Sequence, residues 1–234
     1  MPNIVITGAT QGIGKAIAKK FLSEGFDIAV CARTKGDLDI AMDEWRRQYP
    51  QSIILGMPAD LSVKKEVLQF AEYISGQFSQ VDVLVNNAGA FFPGKLADEP
   101  EGHLEKLMEI NLYSAYHLTR SLLPAMKKAR TGHIFNISSV AGMRAYENGG
   151  AYSITKYALL GFSDNLRMEL MDDHIKVTAL MPGATWSRSW EGSGLDAARL
   201  MQPEDIANMV WASSQLSPSA NVDHIVIRPL KGDI

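Results

Sequence analysis

Short apolar runs punctuate the chain at 3–7, 27–32, 52–57, 81–86, 132–138, 174–181 and 222–227. They are rich in valine and isoleucine and shorter than an average helix. Several lack polar alternation, the pattern of a strand covered on both faces. Between them run longer stretches with helical spacing. In the one that opens at Gly12, the side chains of Ile13, Ala16, Ile17 and Phe21 share a face, and Gly25 is placed to end the helix. The spacing predicts further helices over about 101–128 and 150–171, with Pro124 expected to kink or shorten the first.

Strand–helix–strand alternation predicts parallel strands joined by right-handed crossovers. Seven strands with about six helices make an α/β, doubly wound sheet with helices on both faces. No linker, charge run or internal repeat divides the 234 residues, so a single domain over 1–234 is expected. The segment at about 183–202 differs: it holds Trp186, Trp190 and several Gly and Ser, without a clear period. Such a segment in a compact domain is a functional lid or a plain surface loop.

Composition narrows the function classes. Hydrophobic residues at 46% and charged residues at 21% exclude a wholly disordered chain. A net charge of −3 offers no basic excess for a general nucleic-acid binder. The one cysteine, Cys31, excludes an internal disulfide and a cysteine metal site, and reads as a small core hydrophobe. Histidines 103, 117, 133, 174 and 224 show no close metal-ligand spacing, so no metal is expected. No apolar segment approaches the roughly 18 residues of a membrane span. With no basic-then-apolar leader pattern at the N-terminus, a cytoplasmic protein is expected. Asn136-Ile137-Ser138 matches the glycosylation sequon and is read as a strand end.

Chemistry gathers at the ends of the predicted strands. After the first strand comes Thr7-Gly8-Ala9-Thr10-Gln11-Gly12-Ile13-Gly14, then a helix. Glycines there let the backbone approach a pyrophosphate, while free N–H groups and the positive helix end face its charge. The spacing is G-x-x-x-G-x-G, not the G-x-G-x-x-G fingerprint, and a plain tight turn would also use these glycines. The second strand ends Cys31-Ala32-Arg33-Thr34, with no carboxylate for a ribose 2′-hydroxyl; Asp27 stands at the wrong end and Asp37 beyond it. Arg33 can instead grip a 2′-phosphate, or be a solvated surface arginine.

Tyr152 and Lys156 lie one turn apart on a predicted helix. An ammonium about 4 Å from a phenol favours the phenolate by about 4 kcal/mol at an effective dielectric near 20, or about three in pKa. Such a pair can pass a proton to a carbonyl oxygen as hydride arrives, or take it back. Alone, this spacing recurs by chance in many helices. A hydroxyl at the end of the fifth strand, from Ser139 or its neighbour Ser138, would orient the substrate oxygen.

Together TGATQGIG at 7–14, NNAG at 86–89, ISS at 137–139, YSITK at 152–156 and PG at 182–183 stand in the order of one family. Over nearly its whole length the chain resembles the short-chain dehydrogenase/reductase family in its compact form. The resemblance implies a Rossmann-type fold and NAD(P)-dependent oxidoreduction of an alcohol or carbonyl. It makes Tyr152 the general acid/base, Lys156 the residue that lowers its pKa and meets the nicotinamide ribose, and Ser139, not Ser138, the catalytic serine. Asn111 matches the asparagine that holds a water of the proton relay.

On the cofactor side the resemblance implies Gly8, Thr10, Gln11, Gly12, Ile13 and Gly14 at the pyrophosphate, Arg33 at the 2′-phosphate, and Asp60 with Leu61 at the adenine. Asn86, Asn87, Ala88 and Gly89 line the adenosine side. Pro182, Gly183 and Thr185 lead along the nicotinamide, with Ser187 where the family often has threonine. Gln11 stands where many NADP-dependent members carry a second basic residue. The ending from Arg228 to Ile234, with Pro182-Gly183-Ala184 and Trp186, is similar to bacterial sepiapterin-reductase-like members.

The expectation is therefore an NADP(H)-dependent oxidoreductase for a small carbonyl or alcohol substrate, sepiapterin-like or a diketone. The alternatives are an NAD(H)-dependent alcohol dehydrogenase, a 3-oxoacyl carrier reductase, or a non-catalytic dinucleotide sensor. No nucleic acid or membrane partner is expected. A homodimer or homotetramer would pair through the helices near 101–128 and 150–171.

Overall fold

The computed structural model describes residues 1–190, 194 and 196–232. Parts of the 183–202 segment (191–193 and 195) and the final Asp233 and Ile234 lie outside the described residues. The strands are β1 (Asn3–Thr7), β2 (Asp27–Ala32), β3 (Ile54–Pro58), β4 (Val83–Asn86), β5 (Gly132–Ile137), β6 (Ile175–Pro182) and β7 (His224–Ile227). They form a seven-stranded sheet in the order β3-β2-β1-β4-β5-β6-β7, parallel at every pairing. The helices are α1 (Gly12–Ser23), α2 (Lys35–Gln48), α3 (Lys64–Gln77), α4 (His103–Met108), α5 (Ser114–Ala129), α6 (Gly150–Leu170) and α7 (Pro203–Ser214).

Strand periodicity divides the core in two. In β1, Ile4 and Ile6 point to a layer built with Ile17 and Phe21 of α1, Trp45 of α2 and Val210 of α7. Val5 points the other way, to Phe70 of α3, Leu122 of α5 and Leu170 of α6. Both faces are covered, which is why the strands read as continuous apolar runs. Strand order reverses between β1 and β4, so the connections leave in opposite directions and open a crevice beyond the strand ends.

Gly25 does end α1. It has φ of +81°, its N–H bonds Leu22 O, and the Phe26 N–H bonds Phe21 O, closing the last turn. The long helix expected over 101–128 is instead interrupted. Between α4 and α5, Glu109–Tyr113 forms a π turn, a feature often found at functional sites. Pro124 does not shorten α5, which runs on to Ala129. Pro124 and Arg120 are both exposed, so the carbonyl that loses its partner can turn to solvent.

A buried polar chain fixes α5 and α6 over the sheet. Asn86 Nδ2 donates to Thr119 Oγ1 at 2.9 Å and to Asn136 Oδ1 at 2.8 Å. Asn136 Nδ2 donates to Ser163 Oγ at 2.8 Å. Asn136 is fully buried, so the sequon is a strand end with no room for a sugar. Among the described residues no helix is long and apolar enough to cross a membrane.

Candidate active site

A cleft of about 650 Å³ opens at the ends of β1, β2, β4, β5 and β6. Thr7 builds its floor. Its Oγ1 accepts from the Asn87 and Ala88 N–H groups at 2.9 Å each. Asn87 Nδ2 donates back to Thr7 O at 2.9 Å and Gly8 O at 3.0 Å, locking the glycine loop to the β4 tip. Gly8, Thr10, Gln11, Gly12 and Ile13 line the cleft. Gly14 does not. It lies where helix and loop touch, and a Cβ there would stand 2.3 Å from Gly8 O and 2.5 Å from Asn87 Nδ2. Gln11, at the start of α1, makes no side-chain cap, and the first turn carries no acid. The helix therefore presents its positive end to the cleft without an internal counter-charge.

Arg33 lines the far end, just past β2, and is exposed. Ala32 beside it carries no charge. Asp60 and Leu61, past β3, close the other wall. Burial would raise the Asp60 pKa, but hydrogen bonds from Ser62 Oγ and N–H, helped by the Arg33 charge, hold it below the usual value. Asp37, placed beyond the site by sequence, also lines the cleft. Ala88 and Gly89 line it with Asn87. Asn86 does not: it is buried at the end of β4, its amide spent on Thr119 and Asn136.

The other end gathers Ser139, Tyr152 and Lys156 with Pro182, Gly183 and Thr185. The adjacent serines diverge. Ser138 is buried and donates to Lys156 O at 3.0 Å. Ser139 accepts from the Ala141 N–H at 3.1 Å and lines the same end of the cleft as the Tyr152 phenol. Asn111, in the π turn, lies behind the wall. Its Oδ1 accepts from the Ala90 N–H at 2.7 Å, and its Nδ2 donates to Ala90 O at 3.0 Å and Thr155 Oγ1 at 2.9 Å.

The electrostatics differ from the expected lysine effect. Burial pushes the Tyr152 phenol up to about 12, against the lowering effect of the Ser139 hydroxyl. Burial likewise pushes Lys156 down to about 8. The ammonium lies 5.7 Å from the Tyr152 ring centre and donates to Ile137 O at 3.0 Å. At that distance, with its proton aimed at a carbonyl, it does not offset the phenolate's lost hydration. Burial thus favours the neutral phenol.

Sequence reasoning missed Phe91, whose ring meets Tyr152 edge-on with centroids 4.9 Å apart. Arg144 and Tyr146 also line this end. Their signal was position, since both fall between Ser139 and Tyr152. Trp186 and Trp190 line the mouth. The segment carrying Trp186 folds onto its own return: its N–H bonds Met201 O at 2.9 Å, and the Met201 N–H bonds Ala184 O at 3.0 Å.

Residues 2–196 match the family model described as short chain dehydrogenase. The sepiapterin reductase of Chlorobaculum tepidum is 33% identical, over 99% of this chain and 97% of its own length. A metagenomic short-chain oxidoreductase solved in complex with NADP superposes with a TM-score of 0.85 at 31% identity, over 97% of this chain and 96% of that one. L-sorbose reductase from Gluconobacter frateurii, complexed with NADPH and L-sorbose, gives 0.88 at 26% identity, over 98% and 97%.

Proposed function

The chain belongs to the short chain dehydrogenase family and is an oxidoreductase of that family; on that premise we propose that it is an NADP(H)-dependent reductase of small carbonyl compounds. The cofactor reading rests on Arg33 at the β2 tip beside an uncharged Ala32, with the uncapped α1 end beneath the same cleft. The NADP and NADPH complexes among its structural relatives support it. When bound, the cofactor supplies a hydride.

The chain's own residues do the rest. Gly8 to Ile13 receive the pyrophosphate, Arg33 the 2′-phosphate, and Asp60 and Leu61 the adenine. Ser139 Oγ hydrogen-bonds the substrate oxygen. Tyr152, held protonated by burial, gives its proton to that oxygen as the carbonyl carbon is reduced. Lys156, 5.7 Å from the Tyr152 ring centre, would meet the nicotinamide ribose, and Asn111 holds the adjoining backbone in register through Ala90 and Thr155. The observation that carries this reading is the convergence of Ser139, Tyr152 and Lys156 at one end of the cleft whose other end is lined by the glycine loop and Arg33.

Phe91, Tyr146, Trp186 and Trp190 give the substrate end flat apolar walls, which suit a conjugated or cyclic ketone such as a pterin side chain or diketone. The 183–202 segment would act as its lid. Exposed Tyr113, Ile154 and Tyr157 support assembly as a homodimer or homotetramer, to be read by sedimentation. The test of cofactor choice is a paired fluorescence titration with NADPH and NADH. NADPH is expected to bind tighter, with the difference lost in Arg33→Ala. Equal or tighter NADH binding would overturn the NADP assignment.

A further inference from the structure

The helix that carries Tyr152 and Lys156 has no cap of its own. α6 begins after Gly149, which makes no side-chain cap, and its first turn carries no acid. The missing acceptor comes from 52 residues away: Glu99 Oε1 accepts the Ala151 N–H at 2.9 Å. Ala151 is fully buried beneath this contact, and Glu99 itself is half-buried. The adjacent backbone is shaped for it. Gly150 has φ of +39°, and a Cβ there would stand 2.0 Å from Glu99 Oε1. A Cβ on Gly94 would meet Glu99 Cγ at 3.0 Å. A second tie joins the same two segments, from the Gly94 N–H to Asn148 O at 3.0 Å. Phe91, three residues before Gly94, is the residue whose ring edge meets Tyr152.

We propose that Glu99 is a positioning residue that fastens the 91–99 segment to the start of α6, setting the Tyr152 ring against Phe91. A carboxylate suits this place because it accepts an otherwise orphaned N–H and opposes the positive helix end. The tie acts one residue before Tyr152, where a small shift would turn the phenol away from Ser139. This inference rests on the proposed reductase activity, so one arm of its test does not use activity.

Glu99→Ala is expected to lower kcat for NADPH-dependent ketone reduction roughly ten- to hundred-fold, with NADPH affinity unchanged. Glu99→Gln, whose amide oxygen still accepts from Ala151, restores kcat. If the alanine variant does not fold, Glu99→Asp, too short to reach Ala151, takes its place. Hydrogen exchange on the same proteins is expected to rise over 148–156 in Glu99→Ala or Glu99→Asp and to stay low in Glu99→Gln. A wild-type enzyme without NADPH-dependent turnover would overturn the reductase assignment, and the exchange arm would still judge Glu99. Unchanged kcat in the shortened variant of an active enzyme, a glutamine variant no better than it, or unaltered exchange over 148–156 would overturn the proposal.

Discussion

Lys156 donates to the carbonyl of Ile137 at 3.0 Å, inside the cleft it shares with Tyr152. Burial brings its pKa from 10.5 to about 8. Between those values the unfolded chain binds the proton and the folded chain does not, so stability rises with pH across that window. Below it the cost is fully present, about 3 kcal/mol. Lys156→Met is expected to stabilise the protein at neutral pH by about 1–3 kcal/mol, less than the full figure because the Ile137 contact goes too. It should also flatten the rise above pH 8. Urea unfolding across pH measures both. Tyr152 runs the other way: raised from 10 to about 12, it lowers stability only as pH climbs above 10.

His133 sets the acid side. Its Nε2 lies 2.7 Å from Thr178 Oγ1, which itself donates to Val222 O, so the ring nitrogen is the donor. Nδ1 is buried without a partner, and a second proton there would face nothing. Burial accordingly takes the pKa from 6.5 to about 3. Stability is expected to fall as pH drops from 6.5 toward 3, because the unfolded chain takes up the proton first. His133→Gln should remove about one proton from the acid slope of the urea midpoint.

The two serines should separate cleanly. Ser139→Ala removes the hydroxyl that faces the phenol and is expected to cut kcat roughly 100-fold with little change in melting temperature. Ser138→Ala removes a buried hydrogen bond to the Lys156 carbonyl, which keeps its helix partner, and is expected to cost about 0.5–1.5 kcal/mol of stability. Steady-state kinetics and thermal melts on both variants check this. Reversed effects would return the catalytic role to Ser138.

Gly14 lies at a contact between helix and loop. Gly14→Ala would drive a methyl into Gly8 O and Asn87 Nδ2 and is expected to destabilise the fold by about 1–3 kcal/mol. NADPH affinity should fall with it, since the glycine loop must move. Denaturant midpoints and an NADPH titration test this directly.

Much of this is legible in the sequence because both sheet faces are buried. Ile4, Val5 and Ile6, and Ala29, Val30 and Cys31, run without a polar residue to blur the strand signal. The third strand started late because Ile53, though apolar, is exposed, and its N–H bonds Asp27 Oδ1 outside the ladder. The π turn at Glu109–Tyr113 was not legible, since no residue type in that stretch marks one. Tyr152 and Lys156 were readable as a pair, but their charge state was not. Burial and the Ile137 carbonyl, which no spacing encodes, decide it. Phe91 and Glu99 act across the chain fold, so only the structure joins them to Tyr152 and Ala151.

The most direct test of the central claim is single-turnover reduction of a ketone by enzyme-bound NADPH in the wild type and in Tyr152→Phe. The wild type is expected to consume the bound NADPH. The variant should bind NADPH as tightly and react roughly 1,000-fold more slowly or not at all. A variant that turns over at the wild-type rate would contradict Tyr152 as the proton donor.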